Sequence, residues 1–115
     1  LPEEFTPVNC VKMTAAHGVT KDSIRRHLGL VGLEGHCDKP VSQLSGGMCR
    51  RVAIVRAVLS GADTVYFDEP FTGLDGDTKM QVIKYILTNC EGRTLIFVSH
   101  CPDDAGLLNA KEIRI

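Results

Sequence analysis

Three groups of residues in this chain have the types and the spacing that chemistry requires. The first is Leu44-Ser45-Gly46-Gly47-Met48, where a small polar residue and two glycines stand directly before a run with Met48, Val52, Val55 and Leu59 at helical spacing. A helix that starts this way leaves backbone N–H groups unpaired, carries the positive end of the helix dipole, and lets an anion approach without meeting a Cβ atom. Phosphate is its natural guest. The second group is Asp68 and Glu69, two carboxylates that close the β-favouring run Thr64 to Phe67. The third is His100, just past a second apolar run, Thr94 to Val98.

The elements that must position these groups can be read around them. Between the two apolar runs, Asp77 to Cys90 predicts a helix with Met80, Ile83 and Leu87 facing a core, stopped by Gly92. Strand, helix and strand make a βαβ unit, whose strands are expected to be parallel, buried and joined by a right-handed crossover. Asp68, Glu69 and His100 then sit at the carboxyl ends of neighbouring strands and face one crevice, where ligands of α/β sheets bind.

Upstream, Leu1 to Pro7 reads as an irregular lead-in. A short helix follows, with Thr6 as N-cap, Pro7 at the first position, and Val8, Val11 and Ala15 on one side, broken by Gly18. A second helix starts near Thr20, carries Ile24, Leu28 and Val31 on one stripe, and ends at Gly32 and Gly35. Gly61 ends the glycine-start helix, whose Arg50, Arg51 and Arg56 read as its charged, solvated face. After His100, a helix start is expected at Pro102 with Asp103 and Asp104 in its first turn, and Lys111 to Ile115 alternates like a final strand.

With 115 residues, 43% hydrophobic and 23% charged, the chain has the composition of an ordinary globular domain rather than a disordered one. A net charge of -1 removes the general electrostatic case for a nucleic-acid partner. No apolar run approaches the roughly 20 residues that span a bilayer. The five cysteines, Cys10, Cys37, Cys49, Cys90 and Cys101, have no CxxC pair and read as free thiols packed as small hydrophobes.

Taken in order, these pieces resemble the nucleotide-binding subunit of ATP-binding cassette (ABC) transporters. LSGGM at Leu44 to Met48 resembles the family signature, TVYFDEP at Thr64 to Pro70 resembles Walker B with its following glutamate, TGLD at Thr72 to Asp75 resembles the D-loop, and His100 resembles the switch histidine. The resemblance implies an α/β fold: a helical subdomain over residues 1–60 ending in the signature helix, then over 61–115 the C-terminal half of a RecA-like P-loop NTPase parallel sheet, incomplete. It implies ATP and Mg²⁺ as cofactors. Asp68 would orient Mg²⁺, which prefers a carboxylate, waters and phosphate oxygens to a full protein cage. Glu69 would polarise the attacking water as general base, and His100 would hold that water and the γ-phosphate in line. Leu44, Ser45, Gly46 and Gly47 would meet the ATP held by an opposite subunit, and Asp75 would couple the two sites. Implied partners are a second nucleotide-binding subunit and transmembrane permease subunits, with no nucleic acid, at the cytoplasmic face of the membrane.

One family element is missing from these residues. No GxxxxGK[ST] loop occurs, no lysine follows a glycine, and the only glutamines are Gln43 and Gln81. The 115 residues therefore read as the second half of an ATPase domain, beginning just after the glutamine-containing loop, without the amide cradle and lysine that hold β- and γ-phosphates. The expected activity is that of an ATP-hydrolysing subunit energising import of a small solute, similar to importers of nitrate, sulfonate or taurine type. The alternatives are a non-catalytic remnant offering its signature helix or a dimerisation surface, and a DNA-repair ATPase, which sustained coiled-coil heptads would be needed to support. The chain by itself is expected to show no appreciable ATP hydrolysis. Missing sheet neighbours also predict self-association; an unfolding midpoint that rises with protein concentration is the expected result, and a concentration-independent transition in a strictly monomeric sample is the contrary one.

Overall fold

Two parallel strands and the helix that joins them form the frame on which the candidate residues are mounted. The structure is a computed structural model that describes residues 5–108. In chain order it contains α1 (Pro7–Lys12), α2 (Lys21–Leu30), a 3₁₀ turn (Val41–Gln43), α3 (Gly46–Val58), β1 (Thr64–Asp68), α4 (Gly76–Asn89), β2 (Thr94–Val98) and α5 (Asp104–Leu107). The expected final strand, Lys111 to Ile115, lies outside the described residues.

Helices α1 to α4 each begin where a side-chain oxygen can satisfy an orphan amide. Thr6 Oγ1 accepts from Asn9 N–H at 3.2 Å, Thr20 Oγ1 from Ser23 N–H at 3.1 Å, Ser45 Oγ from Met48 N–H at 3.1 Å, and Asp75 Oδ1 from Thr78 N–H at 2.8 Å. Such a cap contributes about 1 kcal/mol. Helix α1 stops at Lys12, short of the expected Ala15, because the chain turns so that Ala16 N–H reaches the Leu59 carbonyl at the far end of α3. That contact explains Gly61. Its φ is +76°, and a Cβ there would lie 2.9 Å from Ala16 Cβ, so only glycine fits.

One core cluster runs through both ends of the chain. It holds Val8 and Val11 of α1, Ile24 and Leu28 of α2, Val52, Ile54, Val55 and Val58 of α3, Val65 and Phe67 of β1, and Val82, Ile83 and Ile86 of α4. Ile24, Leu28 and Val55 have no exposed surface, and each such side chain contributes roughly 1.5–3 kcal/mol. The face of α4 differs from the expected one. Ile83 is buried, but Met80 and Leu87 are exposed, and Val82, Tyr85 and Ile86 take their place. The reason is lateral: α4 also leans on α2, where the Tyr85 hydroxyl lies 2.8 Å from His27 Nδ1 with the rings edge to face.

The sheet is two-stranded and parallel, pairing Thr64 with Thr94 through Asp68 with Val98. The expectation of fully buried strands is corrected. Val65 and Phe67 face the core, whereas Tyr66 is 59% and Ile96 45% exposed on the opposite face, which has no covering layer among the described residues. Helix α5 begins at Asp104 rather than Pro102, because Asp104 N–H turns back to the Cys101 carbonyl. All five cysteines are free thiols, with Cys37 and Cys90 buried and their thiol pKa values raised by that burial.

The buried His27 makes stability depend on pH. Burial pushes its pKa below the ordinary 6.5, with Arg26 adding to the shift. Above about pH 6.5 both folded and unfolded chains carry a neutral ring, and stability is fully present. As pH falls through the folded pKa that stability is lost, because the unfolded chain takes up the proton first. The expected result is a thermal midpoint that drops as pH falls below about 6.5, and drops less in His27→Gln, measured by circular dichroism.

Candidate functional site

The expected convergence of Glu69 and His100 occurs at the carboxyl end of the strand pair. Glu69 N–H donates to the Val98 carbonyl at 2.8 Å, extending the ladder one residue past β1. Its carboxylate is then held on two sides. Thr72 Oγ1 donates to Oε2 at 3.3 Å, and Oε1 lies 3.2 Å from His100 Nε2. Oε1 has lost contact with solvent and receives no aligned hydrogen bond, so it is an acceptor awaiting a donor. His100 is 93% exposed and free to reach a ligand. A buried acceptor beside an exposed imidazole is suited to orienting a water and managing its proton.

The backbone at Glu69 is unusual. Its φ is +49°, the one positive value at a non-glycine residue among the described residues. A left-handed conformation at such a residue costs on the order of 1–3 kcal/mol and persists only when surrounding bonds enforce it. Arg50 supplies one of those bonds, donating from Nη1 to the Glu69 carbonyl at 3.1 Å.

The three arginines of α3 are therefore not a solvated face. Arg51 donates to the Gly47 and Val31 carbonyls, and Arg56 to Thr14 Oγ1. A signal for this was present in the sequence: no acidic residue stands three or four positions from any of them, so none has an ion-pair partner on its own helix.

Asp68 ends β1 with an exposed carboxylate that has no partner among the described residues. No group of three or more metal-ligating side chains occurs among those residues. One unpaired carboxylate suits a Mg²⁺ that arrives with a nucleotide and keeps its waters, and does not suit a Zn²⁺ or Ca²⁺ cage.

The glycine start of α3 has the geometry of an anion site. Ser45 caps Met48 N–H, while the Gly46 and Gly47 amides have no partner among the described residues. A Cβ at Gly46 would meet nothing within 4 Å, so the approach is open. A Cβ at Gly47 would lie 3.4 Å from Leu74 Cδ2 and 3.5 Å from the Gly73 carbonyl. The Thr72-to-Asp75 loop thus lies against the helix start at van der Waals distance. Leu44 is half-buried and packs on the core beneath them. Asp75 is committed as the N-cap of α4, and hydrogen bonds from the Thr78 backbone and side chain draw its carboxyl below the usual range.

Sequence reasoning missed the ties around His100. Asp104 is buried and pairs with Lys79 of α4, while Ser99 Oγ donates to its other oxygen. Burial alone would raise the Asp104 pKa; the bonds from Lys79 and Ser99 outweigh it and hold the carboxyl below the usual range. Lys79 also lies 5.6 Å from the centroid of the Phe71 ring. These contacts fasten both sides of His100 to the helix that follows Asp75.

A parallel strand pair carrying acid and imidazole at its carboxyl ends, beside a glycine-started helix, defines an α/β protein. The comparisons place it more narrowly. The ABC transporter family profile matches residues 4–72, and the chain belongs to the ABC transporter family. It is 35% identical over 103 residues to the bicarbonate transport ATP-binding protein CmpD of Synechococcus elongatus, which covers 88% of this chain and 37% of that protein. It is 36% identical over 94 residues to the taurine import ATP-binding protein TauB of Pelagibacter ubique, covering 80% of this chain and 36% of that one. The chain thus spans a little over a third of the length of these relatives. Among solved structures, an ATP-binding cassette dimer bound to ADP and Pi shares the fold, with a TM-score of 0.77 at 24% identity over 93% of this chain and 51% of that one. A putative ABC transporter ATP-binding protein from Pyrococcus furiosus matches with a TM-score of 0.72 at 26% identity, over 88% of this chain and 52% of that chain.

Removing one partner of the Lys79–Asp104 pair leaves the other charge buried without compensation. Lys79→Met is therefore expected to destabilise the chain by about 3 kcal/mol in urea unfolding, while the double change to Lys79→Met with Asp104→Leu recovers much of that loss. A single substitution costing less than about 0.5 kcal/mol would show that the pair is dispensable.

Proposed function

We propose that this chain carries the signature, Walker B, D-loop and switch-histidine portion of a subunit that binds and hydrolyses ATP to drive import of a small solute. In this reading residues 1–60 present the signature helix and residues 61–115 the hydrolytic end of the sheet. The observation that carries it is the pairing of Glu69 with His100 at the strand ends, 3.2 Å apart, with Arg50 of the signature helix bonded to Glu69.

The roles follow from where each group stands. Glu69 is the general base: its solvent-excluded Oε1 can accept the proton of a water held beside it. His100 reaches the same water from the exposed side and contacts the γ-phosphate. Asp68 would hold the Mg²⁺ that accompanies ATP, which when bound would supply neutralisation of charge on the phosphates, leaving in-line attack to positioning. Ser45, Gly46 and Gly47, with Leu44 beneath them, receive the γ-phosphate of ATP held by a second nucleotide-binding subunit, since their amides open outward. Asp75 lies in the loop beside them and couples the two sites.

The remaining partners are membrane permease subunits, which would hold the assembly at the cytoplasmic face of the membrane. No helix among the described residues is long and apolar enough to cross it. Likeness to TauB, a taurine import ATP-binding protein, supports import of a small solute. No GxxxxGK[ST] phosphate loop occurs in these 115 residues.

In the complete ATP-hydrolysing assembly that contains this chain, Glu69→Gln is expected to lower kcat by about a hundredfold or more while ATP affinity stays within about threefold. Turnover assays and equilibrium binding of a labelled nucleotide read the two separately. Lost binding with intact chemistry per bound ATP would assign Glu69 a structural role, and ATP turnover indifferent to the substitution would favour the non-catalytic remnant.

A further inference from the structure

We propose that Arg50 is a positioning residue for Glu69, and that it couples the anion-receiving start of α3 to the hydrolytic carboxylate of the same chain. The inference rests on the functional reading above and adds a link between its two halves.

Glu69 is the one non-glycine residue with positive φ among the described residues, so its conformation has to be imposed. Three hydrogen bonds to its backbone impose it, the longest of them from Thr72 N–H to the Glu69 carbonyl at 3.5 Å. Glu69 N–H donates to the Val98 carbonyl at 2.8 Å, which fixes the peptide plane before its Cα. Arg50 Nη1 donates to the Glu69 carbonyl at 3.1 Å, which fixes the plane after it. With both planes set, φ and ψ are set, and so is the direction of the Cα–Cβ bond. The carboxylate is thereby aimed at Thr72 and His100 rather than left to rotate with a strained backbone. A hydrogen bond from a charged donor is about twice as strong as a neutral one, which suits it to holding an unfavourable conformation.

Arg50 also stands one turn from Gly46 and Gly47, whose amides are open. A helix is stiff over one turn, so an anion that draws in those amides shifts the Arg50 backbone with them. The shift reaches Glu69 through a single hydrogen bond. Occupancy of the site facing the second subunit is thus felt at the carboxylate of this chain's own site, without passing through the Thr72-to-Asp75 loop.

The test uses Arg50→Ala and Arg50→Lys in the complete assembly, beside Glu69→Gln, together with ¹³C carbonyl shifts of the 115-residue chain. Arg50→Ala is expected to lower kcat about tenfold to a hundredfold, with KM for ATP and the unfolding midpoint little changed. Arg50→Lys restores most of the rate, and the Glu69 carbonyl resonance moves in Arg50→Ala and returns towards its place in Arg50→Lys. Full kcat in Arg50→Ala, where Glu69→Gln is inactive, overturns the positioning role and leaves the functional reading standing. Parallel loss of kcat and unfolding midpoint without rescue by lysine also overturns it, by reducing Arg50 to support of the helix. Turnover that survives Glu69→Gln removes the functional reading itself, and the proposal with it.

Discussion

A left-handed residue at the end of a β-strand has to be held from several sides, and most of this fold converges on holding Glu69. The strand pair supplies one bond through Val98, and the loop after β1 supplies another through Thr72. Helix α3 reaches across with Arg50, while α3 itself is anchored by Val52, Ile54, Val55 and Val58 in the core. The hydrophobic contacts set where the helix lies. The polar contacts at its first turn then convert that position into the orientation of one carboxylate.

The second constraint is the loop that carries His100. It leaves β2 without a regular element of its own, and its fixed points are Ser99, which donates to Asp104, and Asp104, which pairs with Lys79 on α4. Helix α4 begins at Asp75 and is locked to α2 by Tyr85 and His27. His100 thus owes its place to a chain of contacts running from α4 to α2. Two residues proposed to act together, Glu69 and His100, are supported by different helices, so relative movement of those helices alters their separation.

The sheet shows how incomplete burial and function meet. Phe67 stacks on Phe97 with ring centroids 5.0 Å apart, and Phe71 extends the stack, which stiffens the strand ends. On the other face Tyr66, Ile96 and Val98 are exposed. A parallel pair normally has both faces covered, so this open face is apolar surface without a covering layer among the described residues.

The sequence by itself determined the starts of α1, α2 and α3, the two strands, their parallel pairing and the residues at their carboxyl ends. Those signals are local: Thr6, Thr20 and Ser45 cap within three residues, and apolar runs bounded by Gly or Pro leave little choice of element. Only the tertiary structure decided which face of α4 is buried, that Arg50, Arg51 and Arg56 clasp backbone and side-chain oxygens, and that Asp104 pairs with Lys79. Each of those depends on a partner far along the chain, such as the 19 residues between Arg50 and Glu69 or the 25 between Lys79 and Asp104. No local period or propensity encodes such a distance; it is set when the core closes and brings the helices side by side.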